Sequence, residues 1–167
     1  MKRFAAITLA LIMALICVPV TAEKADREIE GNLAVFTTAE DFAAGTLENV
    51  VTDESIGNGA IVLKEGESEG TYTSEVLGTA PFEYMVASWG ADTPKGTWID
   101  VSARAYVDMK KGWTEWLSWG KWSDSVKRGS VSGECDLAYM DTDTFTISGK
   151  DGETASKIQL KVTLHAN

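Results

Sequence analysis

From Thr97 to Val107 every second residue is apolar. Ile99, Val101, Ala103, Ala105 and Val107 alternate with Trp98, Asp100, Ser102, Arg104 and Tyr106. Successive side chains of an extended chain point to opposite sides. A period of two held over this length therefore dictates a strand with one apolar face and excludes a helix, whose apolar stripe would recur every three to four residues. Ser156–Leu164 has the same pattern, with Ile158, Leu160, Val162 and Leu164 between Lys157, Gln159, Lys161 and Thr163. A strand with a single apolar face must bury it against another layer. Ile99, Val101, Ala103, Ile158, Leu160 and Val162 are accordingly expected in a core between two sheets.

The rest of the chain fits this frame. Leu33–Phe36, Ala60–Leu63, Thr71–Ser74, Phe82–Trp89, Trp113–Trp122, Leu137–Met140 and Thr144–Ser148 are short strand candidates. Breaks rich in Gly, Asp and Pro separate them, as at Asp92–Gly96, Lys110–Gly112 and Gly149–Gly152. Thr37–Asp41 reads equally as a capped helical turn or a loop, and no helix-period stretch follows residue 48. The fold expected is all-β, a two-layer antiparallel β-sandwich of the jelly-roll kind.

The first 22 residues read as an address. Lys2 and Arg3 precede an apolar run from Phe4 to Val18, closed by Pro19 and by Val20-Thr21-Ala22 before Glu23. A charged start, a short apolar centre and a small-residue exit make a secretory signal peptide. The run is too short for the roughly 20 residues of a membrane-spanning helix. Residues 23–32 then read as a flexible leader and 33–167 as one domain. Cleavage lowers the formal charge from −10 to −12 and leaves Cys135 as the single cysteine, so the core and not a disulfide must hold the fold. Residues 23–75 carry thirteen acidic and three basic side chains. Such a balance opposes binding to nucleic acid or to anionic lipid. The expected location is outside a bacterial cell, secreted or on its surface, without membrane attachment after signal cleavage.

Few residues offer chemistry. All six tryptophans lie between residues 89 and 122, four of them spaced by three in Trp113-Thr114-Glu115-Trp116-Leu117-Ser118-Trp119-Gly120-Lys121-Trp122. Strict alternation would put Trp113, Leu117 and Trp119 on one face and Trp116, Ser118 and Trp122 on the other. If this strand lies beside Thr97–Val107, then Trp98, Arg104, Tyr106, Trp116 and Trp122 form a half-exposed surface for a glycan or a protein partner, cell-wall polysaccharide included. Burial of large aromatic area explains the same residues equally well. Cys135 and His165 are the only thiol–imidazole pair in the mature chain, but Glu134 and Asp136 beside the thiol oppose a thiolate, and His165 is two residues from the last. Asp141 and Asp143 offer oxygen ligands for calcium, well short of the 6–8 oxygens that ion takes, and Asp and Thr also simply make turns. No phosphate-cradling glycine motif and no His/Cys metal spacing occurs, and no cofactor is implied.

One series of segments resembles a known family. It runs through Gly70–Val76, Pro81-Phe82, Ala87-Ser88-Trp89-Gly90-Ala91-Asp92-Thr93-Pro94-Lys95-Gly96-Thr97, Val101–Arg104, Trp113–Trp122, Asp141–Thr144 and Ile158–Leu164. This order resembles the N-terminal β-sandwich region of exported bacterial proteins carrying a papain-like cysteine peptidase domain of the C-thirty-nine-like type, from about Phe42 to Leu164. Glu75 stands where such sequences often have Pro. The family's nucleophile lies in a Cys-Ser-Pro-Thr context in the domain that follows; Cys135, followed by Asp136-Leu137, does not match it. The resemblance thus implies a non-catalytic accessory module that positions a peptidase domain or its substrate, in a chain that is C-terminally truncated or a stand-alone relative. Because a further strand follows in the resembling proteins, the edge of Ser156–Leu164 is expected to be open or covered by Leu33–Phe36.

Overall fold

The computed structural model describes residues 25–125, 131–149 and 152–167; the segment read as a signal peptide, residues 1–22, lies outside the described residues. In chain order the elements are β1 (Arg27–Glu28), α1 (Ala39–Ala43), β2 (Thr46–Glu48), β3 (Val50–Asp53), β4 (Ala60–Leu63), β5 (Glu69–Thr73), β6 (Leu77–Phe82) and β7 (Tyr84–Val86). They continue with β8 (Thr97–Val107), β9 (Gly112–Trp113), β10 (Leu117–Trp122), β11 (Val131–Cys135), β12 (Ala138–Thr142), β13 (Thr144–Ile147) and β14 (Ala155–Ala166). No described helix is long and apolar enough to cross a membrane. The described residues are all-β apart from α1.

The two alternating segments are β8 and β14, and they pair antiparallel along their whole length, with Ala105 opposite Ile158, Ala103 opposite Leu160 and Val101 opposite Val162. Directly opposed residues share a face, so the two apolar rows merge. On its other side β14 pairs with β6 near Ala155–Ile158 and with β5 from Lys161 to His165. Beyond these lie β1 and β2; beyond β8 lie β10 and β9, completing an eight-stranded sheet. The expected free edge on β14 is therefore wrong: β14 is a central strand whose backbone groups are paired on both sides. Leu33–Phe36 is not a strand and covers no edge. Leu33 and Val35 are exposed, and Phe36 turns onto the rings of Phe42 and Tyr72. Within the segment read as a leader, Arg27–Glu28 runs parallel to β6, and Asp26 exchanges hydrogen bonds with Val76 through its amide and its carboxylate.

A second sheet, β11-β12-β13-β7, faces the first. Val101, Ala103, Ala105, Val107, Leu77 and Ile158 from the larger sheet meet Ala138, Met140, Phe145 and Ile147 from the smaller, and Ile99, Leu160 and Val162 pack half-buried against them. The six residues expected in the core all lie there. The strand pairing supports two facing sheets and goes no further toward a jelly-roll order.

At the β2–β5 end the second layer is built from α1 and the β3–β4 hairpin instead. Helix α1 starts with a reciprocal cap: Asp41 N–H donates to Thr38 Oγ1 at 3.1 Å, and Asp41 Oδ2 accepts from the Thr38 amide at 2.9 Å. Donors from the Thr37 backbone and the Thr38 side chain hold the Asp41 carboxyl below its ordinary range. Phe42, on this helix, meets Phe36 and Tyr72 with ring centroids 6.3 and 5.5 Å away. Gly45 is required here, because a β-carbon on it would collide with the Tyr72 ring and the Thr73 carbonyl.

Tyr72 gives this corner a pH dependence. It is 2% exposed, and its hydroxyl finds no hydrogen-bond partner among the described residues. Burial, helped by the nearby Glu75 carboxylate, pushes its phenol up to about 12. An unfolded tyrosine titrates near pH ~10. Between those values the unfolded chain gives up a proton that the folded chain keeps, so stability is full below about pH 10 and falls as pH rises toward 12. Tyr72→Phe removes a buried hydroxyl that pairs with nothing and the group that titrates. Thermal melting followed from pH 8 to 11.5 should show the wild type losing more stability than Tyr72→Phe over the upper part of that range; parallel curves would refute the assignment.

Candidate functional site

The outer face of the eight-stranded sheet, away from the core, carries the polar row of β8 and β14. Pairing places Tyr106 beside Lys157, Arg104 beside Gln159, Ser102 beside Lys161, Asp100 beside Thr163 and Trp98 beside His165. Each aromatic of β8 thus meets a cationic or titratable side chain of β14. Lys157 Nζ lies 4.1 Å from the Tyr106 ring, and Lys161 Nζ 4.5 Å from the ring of Trp116. The Arg104 guanidinium sits 4.5 Å from Trp113 and 5.0 Å from Trp116. At the far end Lys121 Nζ is 4.5 Å from Trp98, whose ring stacks on His165 at 4.6 Å with 11° between planes. Such contacts contribute about 0.5–1 kcal/mol each near a surface.

Arg104 is held from a third direction. Its Nε donates to Gln159 Oε1 at 2.9 Å and its Nη2 donates to the same oxygen, while Gln159 Nε2 donates to the Ser74 carbonyl at 2.9 Å. The guanidinium is therefore fixed to two neighbouring strands before it meets the indoles. His165 lies between two carboxylates, with Nδ1 3.2 Å from Glu69 and Nε2 3.2 Å from Asp100. The result is a ribbon in which Arg104, Lys121, Lys157 and Lys161, four cations of an acidic protein, gather on one face.

Trp98, Arg104, Tyr106 and Trp116 lie together on this face, Tyr106 buried at 7% exposure and the other three half-buried. Trp122 does not lie there. Leu117 and Ser118 oppose Ala103 and Ser102, but Lys121 and Trp122 oppose Asp100 and Ile99. Trp119 and Gly120 thus stand against Val101 alone, a β-bulge made possible by Gly120 at φ 83°. The extra residue reverses the alternation after Ser118, sending Lys121 outward and Trp122 inward. Trp122 packs on Trp89 at 6.2 Å, and Trp89 on Trp119 at 6.4 Å, at the rim of the core. A second irregularity puts Trp113 outward. Thr114 is buried, and it both donates its amide to the Ala105 carbonyl and accepts the Ala105 amide at its hydroxyl. The sequence reading missed Trp113, Lys121, Lys157, Gln159, Lys161 and His165. The β14 residues among them had a signal, since they form the polar row of an alternating strand; what was lacking was its partner.

The remaining candidates lie elsewhere. Asp141 and Asp143 flank the turn between β12 and β13, where Thr142 adopts φ 58°. Their carboxylates accept from Thr142 and Thr144 hydroxyls, and the Asp143 carbonyl accepts from Trp119 Nε1 at 2.9 Å, so this loop is organised as a hairpin turn. Among the described residues no group of three or more His, Cys, Asp or Glu could hold a metal ion. Cys135 ends β11 of the smaller sheet, whereas His165 belongs to the larger sheet and is engaged by Glu69 and Asp100.

No curated protein and no solved structure matches the chain. One family model does, and its description, Peptidase C39 N-terminal domain, covers residues 32–167. That span takes in both sheets except β1, and the aromatic–cationic face. It is the non-catalytic part of such peptidases, consistent with a structure in which Cys135 and His165 serve different sheets. By this match the chain belongs to the Peptidase C39 N-terminal domain family.

Proposed function

We propose that this chain is the accessory module of an exported bacterial protein of the cysteine-peptidase type, and that it positions a linked peptidase domain or the polypeptide that domain acts on. The observation that carries this reading is the family match over residues 32–167. The contact surface would be the face of Trp98, Arg104 and Trp116 with the three lysines beside them, over the buried Tyr106. Indoles clamped by cations are rigid, amphipathic and charged, which suits a protein partner with acidic side chains. A polypeptide continuing from the end of β14 would leave the sheet beside Gly96, where the Asn167 amide donates to the Gly96 carbonyl, close to Trp98. Nothing favours a glycan platform, since the Trp98, Trp113 and Trp116 rings already face the protein's own cations.

Calorimetric titration of the chain with a separately produced peptidase domain from a full-length relative tests the surface. Binding should weaken at least about tenfold in a Lys121→Glu/Lys161→Glu double variant, because reversed charges at a complementary interface repel. An absence of binding, together with no change in peptide turnover when the two parts are joined, would overturn the reading. Export is tested separately by N-terminal sequencing, which should begin at Glu23; a cytosolic protein retaining Met1 would overturn it.

A further inference from the structure

The cations of the outer face follow the strands rung by rung. Pairing sets up four successive rungs across β8 and β14: Tyr106 with Lys157, Arg104 with Gln159, Ser102 with Lys161, and Asp100 with Thr163. The first three each hold one cation, and Lys121 of β10, opposite Asp100, adds one to the fourth. Same-face residues two apart on a strand are separated by about 7 Å. Lys157, Arg104, Lys161 and Lys121 thus rise from rungs at about that interval, over a length of about 20 Å.

None of the four is neutralised. The chain has 25 acidic and 15 basic side chains, yet the ion pairs among the described residues are those of Arg27, Lys110 and His165. The four cations rest instead on rings and on the Gln159 amide. An aromatic face attracts a cation without cancelling its charge. The four also stay within reach of solvent. Lys121 is exposed, and Arg104, Lys157 and Lys161 are half-buried. The floor beneath them, Ser102, Tyr106 and Gln159, is closed, each at most 9% exposed. The run ends at the next rung, Trp98 with His165, where the Glu69 and Asp100 carboxylates close on the imidazole.

We infer that these four rungs bind an extended acidic segment of the polypeptide on which a linked peptidase domain acts, with Asp or Glu at alternate positions and one carboxylate on each cation. Alternate side chains of an extended chain point the same way at the spacing of the rungs, so carboxylates there stay in step with the cations. A helix repeats its surface every turn, about 5.4 Å, and falls out of step within the same length. Cations already held against rings lose little freedom on binding, which favours a fixed spacing over diffuse attraction. The inference rests on the proposed handling of polypeptide, and of its two arms it assigns this face to the substrate chain.

The experiment uses the chain alone, so it is separable from the titration with a peptidase domain: that titration can succeed while this one fails, which would give the face to the domain. The probe is a dye-labelled peptide of five serines and four glutamates in strict alternation, followed by fluorescence anisotropy at low salt. Its isomer with the four glutamates consecutive has the same charge and composition. The alternating peptide should bind at least about fivefold more tightly, since only it meets all four cations in register. Lys157→Gln should reduce that preference, and Lys121→Gln, at an exposed position, should reduce it with melting unchanged. No binding, equal binding of the two isomers, or a preference that survives both variants would overturn the inference. Tighter binding of a linear polyphosphate of matched charge would overturn it as well, in favour of a phosphate polymer.

Discussion

Val101→Asp should leave the protein unfolded at room temperature. Val101 is 4% exposed in the middle of β8, with Val162 opposite on β14 and the smaller sheet above it. A carboxylate there would face the apolar cluster; Arg104, Lys121, Lys157 and Lys161, the cations placed on this sheet, are on its other face. The group must either stay charged without a partner or protonate at a cost, and the lost valine packing adds to this. A loss of at least about 4 kcal/mol is expected, which approaches the whole stability of an ordinary domain. Asp100 sets the contrast. One residue away, the native carboxylate lies on the outer face, 3.2 Å from His165 Nε2. Circular dichroism and urea titration check the result. A folded Val101→Asp with a near-normal urea midpoint would mean that the face assignment of β8 is wrong.

The same parity explains what could be read from the sequence. In β8 and β14 an apolar residue recurs at every second position, so the faces, the core residues and three of the surface residues (Trp98, Arg104 and Tyr106) follow without any partner. Pairing is a different matter. Nothing local to Lys157, Gln159, Lys161 or His165 says that β8 lies alongside, yet that pairing turns them into the cationic half of the ribbon. The weakly patterned strands are the ones that sequence alone misses. β6 contains Gly78 and Pro81 and is a strand because β1 and β14, distant in sequence, complete its ladders; β11 reads Val131-Ser132-Gly133-Glu134-Cys135 and is a strand because the turn at Asp136-Leu137 folds β12 back onto it. The reverse holds for Leu33–Phe36, where apolar residues in a row find no strand to pair with. An assignment of β14 as an edge failed for this reason too: its paired flanks come from β5, β6 and β8, all distant in sequence.

Among the tryptophans the structure separates two roles that their spacing conflates, and single replacements should read the difference directly. Trp119→Ala is expected to cost about 3–5 kcal/mol, the range for emptying a large aromatic from a core. Trp119 is 8% exposed, its ring lies 6.5 Å from Phe145, and its Nε1 is bonded to the Asp143 carbonyl across to the other sheet. Removing it leaves a cavity between the sheets and an unpaired acceptor in the β12–β13 turn. Trp116→Ala removes a half-buried ring whose partners are Arg104, which keeps its bonds to Gln159 and its contact with Trp113, and Lys161, which can turn toward water, so about 1 kcal/mol is expected, in line with two surface cation–π contacts. Trp122 decides between the alternating reading and the bulge. With Trp122 inward, against Trp89, its replacement by alanine should fall near the Trp119 value and leave the Arg104–Trp116 contact undisturbed. With unbroken alternation it would resemble Trp116. Urea midpoints for the three variants, measured with a common slope, give the order: Trp119→Ala and Trp122→Ala well below Trp116→Ala. A Trp122→Ala as mild as Trp116→Ala would remove the bulge at Gly120 from the account, and with it the reason that Lys121 reaches the ring of Trp98.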